Sequence, residues 1–159
     1  MTALFGDESA DLRRIRQAAC LFADIGWRRH PDDRALGVFG QVLTAPFAGA
    51  SHRARALIAS AVFHRHSGDE DFPRDIANAE LLHPDDETRA LRLGLACRLA
   101  FSLSGSSAGA LPRYALRVTP AKVVLDVPRR LEAIAGEPVQ KRLGALAAAF
   151  GRKGEILIG

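Results

Sequence analysis

The chain predicts a mainly α fold: a helical body over residues 1–104, and a small αβ appendage over residues 105–159 packed on it as one unit. Three observations carry this. The 159 residues are 48% apolar and 25% charged, rich in Ala and Leu, a composition that builds a core and favours helices. Apolar residues recur at three-to-four spacing through the first two-thirds of the chain. Then Ser104-Gly105-Ser106-Ser107-Ala108-Gly109 forms a loop, and a period of two takes over.

Each element has its own signal. Ser9 is an N-cap, Leu12, Ile15, Ala19, Phe22 and Ile25 follow at helical spacing, and Gly26 supplies the stop. After a loop from Trp27, a second helix spans about Asp32 to Leu43 and is closed off by Pro46. Ser51 caps a third helix, with Ala54, Leu57, Ile58, Ala61 and Val62 as its buried stripe and Gly68 as its end. An acidic turn from Asp69 to Pro73 leads to a short helix near Arg74 to Leu81. His83-Pro84-Asp85-Asp86 opens the longest helix, which runs to about Ser104 and buries Leu91, Leu95, Cys97 and Leu99. The appendage begins with strands at Tyr114–Val118 and Lys122–Val127, joined at Thr119-Pro120-Ala121. Helices near Pro128–Ala135 and Pro138–Phe150 follow, and Glu155–Ile158 suits a third strand beside the hairpin. Met1 to Gly6 shows no element before the first helix, which suggests a fragment of a longer chain, with a free-standing domain as the alternative.

Composition excludes several function classes. The start lacks the basic-then-apolar pattern of a signal peptide, and no apolar stretch approaches the roughly 18 residues of a membrane span. A cytoplasmic location fits. The net charge of +4 suits a polyanion but is too modest to point to nucleic acid. Cys20 and Cys97 both fall in apolar helical patterns, which predicts buried, inert free thiols. No phosphate-binding glycine loop, zinc spacing or Gly-x-Ser-x-Gly elbow is present.

Two sets of residues remain as candidates. The histidines are His30, His52, His64, His66 and His83. His64 and His66 stand about 200° apart on a helix, so they cannot chelate one metal there. The basic set is Arg28, Arg29 and His30 after the first helix, His52, Arg53 and Arg55 opening the third, and Arg65 and His66 closing it. Arginine forks and helix N-termini suit phosphate oxygens. Arg28, Arg29, His30, His52, Arg53, Arg65 and His66 are therefore the candidate polyanion site. Arg13, Arg14 and Arg16 look like a solvent face offset by Asp7, Glu8 and Asp11.

The run from Ala18 to Asp32, with Asp24-Ile25-Gly26-Trp27-Arg28 at its centre, resembles the C-terminal domain of the Ppx/GppA exopolyphosphatase and guanosine pentaphosphate phosphohydrolase family. The similarity continues through Ala45–Gly49, Ala61–His66, Arg98–Ser104 and Leu111-Pro112, so it covers nearly the whole chain. It implies an HD-like helical fold. In that family an N-terminal actin-like half hydrolyses the phosphoanhydride with magnesium, and the C-terminal half helps to hold polyphosphate and supports dimers. The resemblance thus implies inorganic polyphosphate, the actin-like catalytic half and a second copy of the chain as partners. The family's catalytic glutamate and phosphate loops have no counterpart here.

Departures from true HD enzymes bear on chemistry. Their His-Asp pair falls on Ala23-Asp24, and the Asp of their late Arg-Leu-Ala-Asp falls on Phe101. Neither alanine nor phenylalanine ligates a metal, and one carboxylate holds a divalent cation poorly. The expectation is a non-catalytic accessory domain with no cofactor of its own. The alternative is a divergent metal-dependent phosphohydrolase using His30, His52, His64, His66 and Asp24. A third reading is a dimerisation module, marked by an exposed apolar stripe on the long helix or an open hairpin edge.

Overall fold

The computed structural model describes residues 2–68, 81–107 and 109–159, and the side chains from Leu4 onwards. Its element order is α1 (Thr2–Phe5), α2 (Ala10–Phe22), α3 (Pro31–Thr44), α4 (His52–Ser67), α5 (Pro84–Ser104), β1 (Ala115–Val118), β2 (Lys122–Val127), α6 (Glu137–Ala149) and β3 (Lys153–Ile158). The fold is mainly α with a small C-terminal sheet, as the sequence predicts. The expected acidic turn, and the expected short helix up to its last residue Leu81, fall on residues 69–80, outside the described residues. The chain divides into two compact units, Glu8–Cys97 and Met1–Asp7 with Arg98–Gly159, the division falling within α5.

In Glu8–Cys97 the helix ends are set by local chemistry. Ser9 Oγ accepts from the Leu12 N–H and Ser51 Oγ from the Ala54 N–H. Gly68 closes α4 at φ 69° in the left-handed region, its N–H donating to the His64 carbonyl. At the start of α5, the His83 N–H donates to the Asp86 carboxylate at 3.2 Å, an N3 side chain reaching back to the N-cap.

α4 packs against both α2 and α3. It buries every residue from Ala56 to His64. The expected single stripe is therefore too narrow, and Ala54 is only half-buried. α5 crosses α4 at Gly94, where a Cβ would stand 2.5 Å from the Ala61 carbonyl oxygen and 2.5 Å from His64 Cβ. Leu95, Cys97 and Leu99 are buried as expected, whereas Leu91 is half-buried on the flank of α5. α2 ends at Phe22, short of Ile25, and buries only Ala19. Cys20, about 100° round the helix from Ala19, is consequently exposed and not buried; Cys97 is buried.

The sheet unit pairs β1 with β2 antiparallel and β2 with β3 parallel, so the tail does form the third strand. The hairpin is tight: the Thr119 N–H donates to the Lys122 carbonyl at 2.9 Å, and the Lys122 N–H donates to Thr119 Oγ1 at 2.9 Å. The parallel pairing needs a crossover, which α6 supplies. β2 buries Val123, Val124, Leu125 and Val127, and α6, which buries Val139, Leu143, Leu146 and Ala147, packs on it. Residues 129–135, expected as an α-helix, form a 3-10 run instead. The extended Gly136 ends this run and opens α6 at once. The N-terminal residues also differ from expectation: Thr2–Phe5 is helical and packs on β1, with Phe5 edge-on to Phe150 at 6.2 Å.

Candidate functional site

The loop between α2 and α3 presents three of the candidate basic residues on a fixed backbone. Gly26 takes φ 81°, and Val38 Cγ2 occupies the place of its absent Cβ, so both conformation and space require glycine. The Arg29 N–H donates to the Gly26 carbonyl at 2.8 Å. Arg34 Nη2 then donates to the Trp27 carbonyl at 3.2 Å and to the Arg29 carbonyl at 2.9 Å, tying the loop to α3. On this backbone the Arg28 guanidinium lies 4.8 Å from the centre of the exposed Trp27 ring. The Arg29 side chain crosses Gly37, its Nη1 2.7 Å from where a Cβ would stand, and reaches Gln41 Oε1 at 3.5 Å. His30 caps α3, its Nδ1 accepting from the Asp32 N–H at 3.4 Å.

The N-terminus of α4 gathers the second group. Its first turn holds His52, Arg53 and Arg55 and no acidic residue. Arg55 Nη1 donates to the Ala45 carbonyl at 3.3 Å, and its Nη2 stands 3.2 Å from His52 Nδ1. Arg53 forks onto the buried Asp86, Nε to Oδ2 at 2.7 Å and Nη2 to Oδ1 at 2.8 Å. Burial alone would push the Asp86 carboxyl up, but the Arg53 fork and the His83 N–H outweigh it and hold it below its ordinary value. Arg53 stays 56% exposed.

At the other end of α4, Arg65 Nη2 lies 3.9 Å from Asp24 Oδ1, and its Nη1 lies 3.5 Å from His66 Nδ1. Arg53 and Arg65 are thus separated by about 18 Å along the helix axis, at roughly 1.5 Å per residue. They cannot grip one phosphate group together, whereas an extended polyanion spans such a distance.

The degenerate metal positions fall in separate places. Ala23 is buried at the C-cap of α2. Asp24 is exposed, because the helix has already ended and the side chain turns to Arg65. Phe101 is half-buried and belongs to the sheet unit. Among the described residues no group of three or more His, Cys, Asp or Glu side chains could hold a metal ion.

Two features escape the sequence reading. The Glu8 side chain is 2% exposed, receiving Arg16 Nε at 2.8 Å and Arg89 Nη1 at 2.9 Å, so Arg16 is a buried-pair partner and not part of a solvent face. The only early hint was an acidic residue just before an N-cap. A cavity of about 720 Å³ also opens beside α2, lined by Ile15, Leu21, Phe22, Phe47 and Leu57 together with Arg53 and Asp86. Phe22 and Phe47 stack there at 4.9 Å.

A family model described as exopolyphosphatase, C-terminal (Ppx_C), matches residues 1–157. The chain belongs to this family. No curated protein matches it. Among the described residues of this domain no helix is long and apolar enough to cross a membrane.

Proposed function

We propose that this exopolyphosphatase C-terminal domain is an accessory module that binds inorganic polyphosphate and does not hydrolyse it. The observation that carries the reading is the basic first turn of α4, which contributes no acidic residue of its own, together with the arginines of the α2–α3 loop, whose backbone Arg34 anchors. A helix N-terminus and arginine guanidinium groups both attract phosphate oxygens, and a backbone held in place loses less entropy on binding. In this reading Arg28, Arg29, His30, His52, Arg53, Arg65 and His66 form a discontinuous track. Chemistry belongs to an actin-like partner half with its magnesium. The alternative of a metal-dependent phosphohydrolase needs His30, His52, His64, His66 and Asp24 to converge, and His64 is buried in α4 against Gly94 while Asp24 is engaged by Arg65.

Titration of the chain with polyphosphate at several salt concentrations tests the proposal. Saturable binding that weakens steeply with salt is expected, since each neutralised phosphate releases counterions, by analogy with duplex DNA. An Arg28→Ala/Arg29→Ala variant should bind more weakly and with a shallower salt slope. Binding equal to that of the parent chain would sink the track. Pairing with a second copy is a compatible role, favoured by the exposed Leu21 and Trp27, and light scattering at high concentration checks it.

A further inference from the structure

The two cysteines, 77 positions apart in sequence, meet in the helical unit: Cys20 Sγ on α2 lies 4.0 Å from Cys97 Sγ on α5. One is exposed and the other buried, so a small oxidant reaches them from one side only. We propose that Cys20 is a peroxide-reactive thiol and Cys97 its resolving partner, so that a hydroperoxide joins α2 to α5 through a disulfide.

The environment of the pair supports this division of labour. Hydrogen bonding from Cys97 brings the Cys20 thiol down to about 7 against the opposing effect of burial, with the Arg16 guanidinium helping and Glu8 opposing. The same hydrogen bond and burial push the Cys97 thiol well above its ordinary value, with Arg65 partly offsetting them. Cys97 is therefore silent while Cys20 is a thiolate.

The chemistry runs in two steps. The Cys20 thiolate attacks one oxygen of the hydroperoxide; an S–O bond forms, the O–O bond breaks, and the leaving oxygen takes a proton as water or an alcohol. Cys20 is oxidised by two electrons to the sulfenic acid, and the peroxide is reduced by two. The negative charge that suppressed Cys97 has then gone. Cys97 loses its proton and attacks the Cys20 sulfur; the S–S bond forms, the S–O bond breaks, and hydroxide leaves with that proton as water. Closing 4.0 Å to a bond of about 2 Å takes small side-chain and helix shifts.

The test uses the reduced full chain, treated with equimolar hydrogen peroxide, then alkylated and mapped by mass spectrometry. Loss of two hydrogens and a Cys20–Cys97 linked peptide, both reversed by a dithiol, are expected. In Cys97→Ala, dimedone should trap a sulfenic acid at Cys20 at about tenfold the yield in the parent chain, because nothing resolves it. In Cys20→Ala, Cys97 should stay reduced. Two free thiols after treatment of the parent chain, links only between chains, or a Cys97 that oxidises when alone would each overturn the assignment.

Discussion

The unit Glu8–Cys97 places carboxylates inside: the Glu8 side chain is 2% exposed between Arg16 and Arg89, and the Asp86 side chain 4% exposed beneath Arg53. In the sheet unit the pairs Arg117–Asp126 and Lys122–Glu155 have side chains between 33% and 58% exposed. The bonds are equally short in both units, 2.6 Å from Arg117 Nε to Asp126 Oδ2 and 2.7 Å from Arg53 Nε to Asp86 Oδ2. Distance therefore does not rank them. What differs is the fate of the survivor when one partner is removed: in the sheet unit water replaces it, and in the helical unit water has little access.

This contrast breaks first at Glu8. Glu8→Ala leaves two arginines facing each other in a poorly solvated site and should cost about 3 kcal/mol in urea denaturation. Asp86→Ala comes next, at about 2 kcal/mol, because Arg53 can resolvate but the His83 cap is also lost. The Asp86 carboxyl is held below its ordinary value in the fold, so its stabilisation is complete above that ordinary value, about 4, and is lost as pH falls through the folded one. Urea midpoints measured from pH 7 to pH 3 should fall steeply at the acid end in the parent chain and less steeply in Asp86→Ala. At the small end, Arg117→Ala should leave the midpoint within its error, although Arg117 likewise holds the half-buried Asp126 carboxyl low.

Glycines sharpen the same comparison. At Gly94 a Cβ would press on the Ala61 carbonyl oxygen and His64 Cβ at 2.5 Å, so the two helices must separate. At Gly154 it would meet Leu143 Cγ and the Leu143 carbonyl oxygen at 3.1 Å, which a small shift relieves. Gly94→Ala is expected to cost about 2 kcal/mol even after the gain in helix propensity, and Gly154→Ala about 1 kcal/mol. Equal costs would mean that α4 and α5 yield as readily as β3 on α6.

Local punctuation was legible in the sequence and long-range partnership was not. Ser51 and Gly68 bracket α4, and Pro84 opens α5, because caps and stops act through neighbouring backbone groups. The alternation in Tyr114–Val118 marked a strand with one half-buried face, whereas Lys122–Val127 alternates less cleanly because Val123, Val124 and Leu125 are all buried. By contrast, nothing near Glu8 in sequence names Arg89, 81 positions away, as its partner. The exposure of Cys20 and Asp24 depends on where α2 stops, and a helix that buries a single residue has too faint a stripe to mark its last turn. For the candidate site, the residue types were readable, but Arg53 had already been claimed by Asp86 in a way only the fold reveals.

The seat of Arg29 on Gly37 has a consequence for how this surface can change. The guanidinium stands where a side chain at position 37 would have to go, and it is the flexible end of Arg29 that would give way. A methyl group at that point would leave the formal charge and the helix intact and still move a positive charge across the surface. The electrostatic landscape of the loop is therefore written partly in a residue that carries no charge and no side chain, and a composition that looks neutral to substitution is not neutral in the field it projects.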